Sequence, residues 1–437
     1  MPVQSRKLEI LCSNATTFQN LVLNCIAIRT SMEFLKSINE AELSGVLFKN
    51  LNLKKNIIQY LDKHGQATIS EIGKELKLST PKIISTINEL IEEKILNDNG
   101  KIESTGGRRA NLFGLASSSV YFMGVEVSKY HISIGLMDLN KNMFQEPSNI
   151  PFKLKNSQDS LENLISIINE FIVSSGLPKS KILRIGINLT GRINQVTGHN
   201  YNYFQFMHLP ISEIIEKATG IKTHIDNDSR AMAFAEYCSG VVEKEKNILF
   251  INLDYGIGVS IIINGEIYYG KSGFSGEFGH NPIYDNEMIC QCGKKGCLET
   301  EASGFAVVRT VQEKLRAGIG SILQRDHKKI EEITLEEIVS ACNQDDILAI
   351  ECVAAVGEKL GKAVASLINI FNPELVILGG LLSTTNEYIR LPIKSSLNKF
   401  SSSLVNNDTQ LKTSKLGLAA GVMGACLLVR RAIFSVK

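Results

Sequence analysis

Proline is scarce in this chain: nine in 437 residues, about 2% where ~5% is usual, which excludes a long Pro-rich spacer between folded parts. No run of 18 or more consecutive apolar residues occurs, so no segment reads as a membrane-spanning helix. Neither sign of charge dominates. Lys plus Arg number 47 and Asp plus Glu 45, a formal net charge of +2, which excludes a strongly basic DNA-coating protein and leaves local patches as the route to nucleic acid. No secretory leader is expected over residues 6–28, because Ser13, Asn14, Thr16, Gln19 and Asn20 interrupt the apolar patches that follow Arg6-Lys7. Nor is a disulfide framework. Cys12, Cys25, Cys238, Cys342, Cys352 and Cys426 are scattered and only Cys290, Cys292 and Cys297 cluster, the usage of a reducing compartment with one metal site. What is present is ordinary globular composition, 44% hydrophobic and 21% charged, long enough for two or three domains. The expectation is a cytoplasmic protein with no membrane partner.

Residues 1–31 show no clean periodicity, and Met32-Glu33-Phe34 reads as a chain start; residues 1–50 are taken as an extension, with translation expected from Met32. From Leu53 the pattern sharpens. Ile57, Ile58 and Leu61 share a helical face that stops at His64-Gly65. Thr68 and Glu71 have capping-box spacing at the start of a second helix carrying Ile69, Ile72 and Leu76. Ser79 is placed to cap a third, with Pro81 in its first turn. Its apolar face is Ile83, Ile84, Ile87, Leu90 and Ile91, which leaves Thr80, Lys82, Ser85, Thr86 and Glu89 outside. Three short helices with a tight turn before the third form a helix-turn-helix. An Asn99-Gly100 turn signal, Gly106-Gly107-Arg108-Arg109 and Leu112–Leu115 add a two-stranded wing. Small hydroxylic side chains reach base edges and phosphates without clashing with a groove. Thr80, Lys82, Ser85 and Thr86, with Arg108 and Arg109 of the wing, are therefore the candidate contacts to operator DNA. Residues 51–112 hold ten Lys/Arg against eight Asp/Glu, so such a surface must be one-sided.

From Val120 on, β-rich runs alternate with helical patterns, which argues an α/β body with mixed sheets. The expected strands are 121–127, 131–138, 182–189, 247–253, 259–263 and 375–378; the expected helices are 160–174, 211–218, 229–238, 305–315, 350–369 and 418–433. The densest chemistry lies in one segment: His280, then Cys290, Cys292 and Cys297. Three thiols and an imidazole within 18 residues match a tetrahedral Cys3His zinc site, and four protein ligands leave no open position, so the metal is expected to be structural. Gly293 and Gly296 let the backbone fold around the ion. Glu277 lies three residues before His280, Glu299 two after Cys297, and Asn227-Asp228 precede a helix. Carboxylates, an amide and an imidazole suit a sugar, whose hydroxyls both donate and accept; Asp228 alone could equally be a helix cap.

These motifs resemble the ROK family of repressors and sugar kinases. The resemblance rests on Glu277-x-Gly279-His280, Cys290-x-Cys292-Gly293-x-x-Gly296-Cys297-x-Glu299, Asn227-Asp228, Gly256-Ile257-Gly258, Asn372-Pro373-Glu374 with Gly379-Gly380, and Leu418–Gly421. It implies an actin-like, ribonuclease-H-type fold of two lobes over 118–437, preceded at 51–117 by the winged helix-turn-helix domain of the repressor branch. It also implies that Asn227, Asp228, Glu277, His280 and Glu299 contact a sugar or sugar phosphate, while His280 ligates zinc with Cys290, Cys292 and Cys297. In the kinase branch Asp228 would be the base, and an Asp-x-Gly-Gly-Thr turn would cradle phosphates with backbone N–H groups. Here that stretch is Glu126-Val127-Ser128-Lys129-Tyr130-His131, without glycine, and Tyr255 stands where the kinases carry Thr. The family's usual Pro-Gly is replaced within Asn188–Arg192. The expectation is a sugar-responsive repressor, a homodimer or homotetramer on a palindromic operator, and not an enzyme; the alternative is a sugar kinase with a DNA-binding head.

Overall fold

The computed structural model describes residues 45–101, 110–324 and 329–434. The expected start at Met32 and the wing arginines Arg108 and Arg109 lie outside the described residues.

The chain first builds three helices. Helix α1 (Val46–His64) stops where Gly65, at φ +79°, donates its N–H to Leu61 O. Helix α2 (Ile69–Leu76) opens on the reciprocal box: Thr68 Oγ1 accepts from Glu71 N at 3.3 Å and Glu71 Oε2 accepts from Thr68 N at 2.8 Å. Helix α3 (Thr80–Glu92) has Pro81 in its first turn, and Ser79 sits at the cap position without a cap bond from its hydroxyl. Ile83, Ile87 and Leu90 of α3 share a core with Ile57, Ile58, Leu61 and Ile72. Two positions on α3 differ from expectation. Thr86, expected on the DNA face, is 0% exposed, whereas Ile84, expected inside, is 40% exposed. The buried arc is therefore 83, 86, 87 and 90, the i, i+3, i+4, i+7 stripe. Thr86 tolerates burial because its Oγ1 donates to Lys82 O at 3.0 Å.

Strands β1 (Gln66–Ala67), β2 (Leu96–Lys101) and β3 (Asn111–Leu115) form an antiparallel wing in the order β1-β3-β2. Asn99-Gly100, expected as the turn, lies inside β2 instead. The register shifts between Asp98 and Lys101, Gly100 sits at φ +86°, and Asp98 Oδ1 accepts the Gly100 N–H at 3.0 Å, a bulge rather than a reversal.

The body contains one topology twice. In the first lobe β4 (Tyr121–Val127), β5 (His131–Asp138) and β6 (Met143–Pro151) form an antiparallel meander, and β7 (Ile182–Leu189) pairs parallel to β4. After the small hairpin β8 (Ile193–Asn194) and β9 (His199–Asn200), β10 (Thr223–Asn227) pairs parallel to β7, giving the order β10-β7-β4-β5-β6. The second lobe repeats this with β11 (Ile248–Leu253), β12 (Ile257–Ile263), β13 (Glu266–Ile267), β14 (Leu375–Gly379) and β15 (Gln410–Thr413), in the order β13-β12-β11-β14-β15. The first sheet is covered by α4 (Gln158–Ser174) and α5 (Ile211–Thr219), and α6 (Asp228–Ser239) follows β10. The second is covered by α7 (Glu299–Ala302), α8 (Gly304–Arg316), α9 (Leu335–Cys342), α10 (Ile347–Phe371) and α11 (Glu387–Phe400), with α12 (Ser403–Asp408) leading to β15.

The last helix, α13 (Ala420–Phe434), returns to the first lobe. A Cβ on Gly124 of β4 would overlap Val422 O, one on Gly186 of β7 would overlap Ala425 O, and one on Gly424 would overlap Ala231 O of α6. Bare backbone at these points lets α13 lie directly on the sheet and on α6. The stretch Gly417–Phe434 is apolar enough over 18 residues to resemble a membrane span by composition, but 61% of it is buried in this packing. At its far end α13 meets the helix-turn-helix head: Arg430 pairs with Asp62 of α1, which also binds Lys141 at 3.0 Å, and Gln59 donates to Phe434 O. Leu61, Phe113, Phe122, Leu139 and Phe434 belong to one continuous core, so the head is docked on the lobe rather than tethered to it.

Candidate functional site: an interlobe cleft and a thiol cluster

The strand ends β4, β7 and β10 face the β11–β12 hairpin across a cavity of about 320 Å³, lined by all five candidate sugar residues: Asn227, Asp228, Glu277, His280 and Glu299. Asn227 is the N-cap of α6: its Oδ1 accepts from Arg230 N at 3.3 Å and its Nδ2 donates to Gly191 O at 3.1 Å. This takes over the capping role open to Asp228 and leaves the Asp228 carboxylate at the mouth of the helix. Asp228 Oδ1 accepts from Ser229 N at 2.7 Å and from Ser229 Oγ at 3.2 Å. Burial raises its carboxyl to about 6 despite these donors. Beneath it Glu126 is pushed up to about 8 by burial, and then by the charges of Asp254 and Asp228. Arg230 locks the floor: Nε donates to Asp226 Oδ1 at 2.6 Å, and its terminal nitrogens donate to Gly273 O and Ile193 O.

On the other wall Glu299 Oε2 accepts from Ile257 N at 3.3 Å and so holds the Gly256-Ile257-Gly258 turn; a side chain at residue 256 would crowd that carboxylate. Glu277 Oε2 accepts from Arg192 Nε at 2.9 Å and stands 3.8 Å from His280 Nε2. Arg192 was visible only as part of a departure from the family's pattern. Its ion pair with a residue 85 positions away left no local signal.

His280, Cys290, Cys292 and Cys297 converge, with one ligand atom from each lying within 4.8 Å of the others. The His280 Nδ1–Cys290 Sγ distance is 3.5 Å and the Cys292 Sγ–Cys297 Sγ distance is 3.6 Å. Zn–S and Zn–N bonds of about 2.3 and 2.0–2.1 Å at tetrahedral angles give edges of roughly 3.5–3.8 Å, so the donor set fits a tetrahedral metal ion. The ring presents Nδ1 to the thiols and Nε2 to Glu277, so its two nitrogens face different groups. Gly293 and Gly296, at φ +84° and +76°, make the tight loop. Burial raises the Cys290 and Cys297 thiols; a cation among the sulfurs reverses that preference.

The opposite end of the cleft is occupied by rings. Lys129 and Tyr130 form the β4–β5 turn, closed by Ser128 N donating to His131 O at 3.0 Å. Tyr130 meets Tyr255 of the second lobe at 4.9 Å between centroids, Tyr255 meets Phe305 at 5.2 Å, and Lys129 Nζ lies 4.0 Å from the Phe305 centroid. Tyr255 Oη donates to Glu336 Oε2 at 2.8 Å and accepts from Leu335 N at 3.1 Å. Side chains stand where a phosphate turn offers bare N–H groups. Tyr255 was flagged by its position before Gly-Ile-Gly, but nothing in the sequence pointed to Phe305 or Glu336.

On the head, Thr80, Lys82 and Ser85 are exposed, as are Pro81, Ile84 and Asn88. Thr86 does not join them.

The chain is 27% identical over 399 residues to the DNA-binding transcriptional dual regulator NagC of Escherichia coli (strain K12), covering 91% of this chain and 96% of that one. It is 31% identical over 272 residues to a glucokinase of Halalkalibacterium halodurans, covering 62% and 82%. Among solved structures, a ROK family transcriptional regulator, a homolog of the E. coli MLC protein, superposes with a TM-score of 0.73 at 26% identity, over 88% of this chain and 97% of that one. Residues 122–432 match the ROK family, and the chain belongs to it.

Proposed function

We propose that the protein is a sugar-responsive transcriptional repressor that binds operator DNA through α3 and the wing and a sugar in the interlobe cleft. One observation carries the reading: the polar sugar wall is assembled, while the turn that would hold nucleotide phosphates is filled by Lys129, Tyr130, Tyr255 and Phe305. Phosphoryl transfer depends on positioning the phosphates and neutralising their charge, and rings in the turn oppose both. The similarity to NagC over almost its whole length supports the same conclusion; the glucokinase relative covers only 62% of this chain.

In this reading Asn227, Asp228, Glu277, Glu299 and the Nε2 edge of His280 exchange hydrogen bonds with sugar hydroxyls. A structural zinc ion on His280 Nδ1, Cys290, Cys292 and Cys297 supplies a fixed anchor, so that Glu277 and Glu299 are held at their places before the sugar arrives. The signal has a physical route. The start of α13 reaches the cleft through Gly421, which packs on the Glu126 carboxylate and, behind the cleft, takes Asn188 Nδ2 on its O at 2.7 Å; the other end of the helix grips Asp62 and Gln59 of the head. Closure of the lobes on sugar displaces α13 and with it the spacing of paired heads in a cytoplasmic dimer or tetramer, a coupling of about 1–3 kcal/mol per linked site. The test is a mobility-shift assay on the DNA upstream of the protein's own gene, with a panel of sugars and sugar phosphates, alongside an assay of ATP consumption. A sugar-dependent shift without ATP turnover is expected; ATP-dependent phosphorylation of a hexose would replace the reading with that of a kinase.

A further inference from the structure

Helix α3 packs on α1, α2 and β2 through Ile83, Thr86, Ile87 and Leu90, which leaves a second stripe turned away from the head. Pro81, Ile84, Ser85 and Asn88 form it, at the spacing i, i+3, i+4, i+7, and all four are exposed. Ile84 lies in the middle of this stripe at 40% exposure. One exposed apolar side chain is ordinary on a protein surface, but the residues beside this one give it a use. Residues 80–88 contain no carboxylate. Glu89, the next residue, is drawn inward, where its Oε2 accepts from Lys54 Nζ at 3.0 Å and from Asn50 Nδ2 at 3.3 Å. The first acid to stand out from α3 is Glu92, in the last turn. A face without negative charge can lie close to a polyanion, and the N-terminal residues of a recognition helix are the ones that reach base edges.

The chemistry of the stripe matches A·T pairs. The side-chain amide of Asn88 has no hydrogen-bond partner among the described residues. A free carboxamide offers an acceptor and a donor side by side, the complement of the N6–H donor and N7 acceptor that adenine shows in the major groove. Ile84, one turn earlier, offers only methyl and methylene groups, and the apolar group that bases expose in that groove is the C5-methyl of thymine. Guanine shows two acceptors there and is met by Arg or Lys. Lys82 lies to one side of the stripe, where its Nζ donates to Asn50 Oδ1 of α1 at 3.4 Å. Four residues of helix rise about 6 Å, close to two base steps of about 3.4 Å, so the two side chains reach base pairs of one half-site.

On the reading of the protein as an operator-binding repressor, we propose that Asn88 and Ile84 are its sequence-reading residues: the Asn88 amide pairs with the major-groove edge of an adenine, and Ile84 packs on the C5-methyl of a thymine about two base pairs away.

The test starts from full-length protein and a pool of random-sequence duplexes, with and without the sugar panel. Duplexes retained in mobility-shift selection are sequenced for wild type, Asn88→Ala and Ile84→Ala. Both positions are exposed, so the three melting curves are expected to coincide, and neither residue is charged, so the salt slope is expected to stay the same. On the best wild-type duplex, 7-deazaadenine at the fixed adenine deletes N7 alone; it is expected to weaken wild type about fivefold and Asn88→Ala hardly at all. Deoxyuridine at the fixed thymine deletes the methyl alone; it is expected to weaken wild type about fourfold and Ile84→Ala hardly at all. A pool from which wild type retains no duplex would remove the repressor reading and this inference together. Duplexes retained with the same base preferences by all three proteins, or base-analogue losses as large in the variants as in wild type, would overturn the assignment of Asn88 and Ile84 and leave DNA binding standing.

Discussion

The β4–β5 and β11–β12 hairpins hold the same place in two sheets of the same topology, yet they meet across the cleft as opposites. The β11–β12 turn keeps Gly256 and Gly258, and Glu299 grips its Ile257 N–H. The β4–β5 turn has no glycine and projects Lys129 and Tyr130 onto Tyr255 and Phe305. The first turn stays open and is pinned by a cleft carboxylate; the second fills the space with side chains that satisfy one another, and Tyr255 of the first turn joins them. The five candidate sugar residues come from neither hairpin but from the start of α6, from 277–280 and from Glu299, so filling one turn leaves them assembled.

The largest expected effect breaks this contrast directly. Glu277→Ala removes a wall carboxylate and frees Arg192, and it is expected to weaken the sugar response at least a hundredfold, about 2.8 kcal/mol. Tyr130→Gly, on the other side, is expected to leave the response within a few fold. Mobility-shift titrations with the effector read both; equal losses would show that the ring cluster belongs to the ligand site and that the two halves are not separable.

Metal removal comes next. If the cluster holds zinc as proposed, chelation or Cys292→Ser takes the cation from the buried thiols and the anchor from His280 and Glu277. The melting temperature is expected to fall by roughly 5–10 °C, corresponding to a few kcal/mol in a body of this size, with a parallel loss of sugar response. An unchanged melting curve together with an unchanged response would remove the cluster from the mechanism. Zinc content measured by atomic absorption on the same samples ties the effect to the ion.

Much of this arrangement can be read from sequence, and the exceptions have physical causes. Strands β4, β5 and β7 fall on the residues expected, because strands covered on both sides are continuous apolar runs. Edge strands do not show. In β6, with Pro147 and Pro151, and in β15, side chains are only partly covered, and nothing marks them as β. Helices α9 and α11 were passed over as well. The thiols and cleft carboxylates were legible because their chemistry depends on short spacings or motif context. Arg192, Phe305 and Glu336 reach the cleft through tertiary packing alone, which no local pattern encodes. The duplicated topology is equally silent, since the two lobes share strand order without sharing residues.

A smaller effect concerns protons. Glu126 is raised to about 8 and Asp228 to about 6. The folded state thus holds protons that the unfolded chain releases near its ordinary carboxyl values of about 4. Stability from these groups is full below that value and declines as pH rises through 6 toward 8, by at most about 1.4 kcal/mol per pH unit for each proton. Glu126→Gln keeps the shape without the charge, so denaturant melts across this range are expected to show a flatter profile and a gain at pH 8. A steeper decline in Glu126→Gln would place the titration elsewhere.

The smallest expected effect sharpens the head. Lys82→Ala removes an exposed cation from α3 and is expected to weaken DNA binding about equally on all sequences, reducing the salt slope by about 1. Thr86→Val lies four residues along the same helix but inside it, where the hydroxyl is spent on Lys82 O. Replacing it with a methyl of similar volume removes one backbone-directed hydrogen bond, so the expected cost is within about 1 kcal/mol of stability, and operator affinity should not move. The pair separates a surface role from a packing role on neighbouring turns. If Thr86→Val kept its fold and lost tenfold or more in affinity while Lys82→Ala lost nothing, the helix would have to meet DNA with the face that here packs against α1 and α2, and the head could bind only by opening its own core.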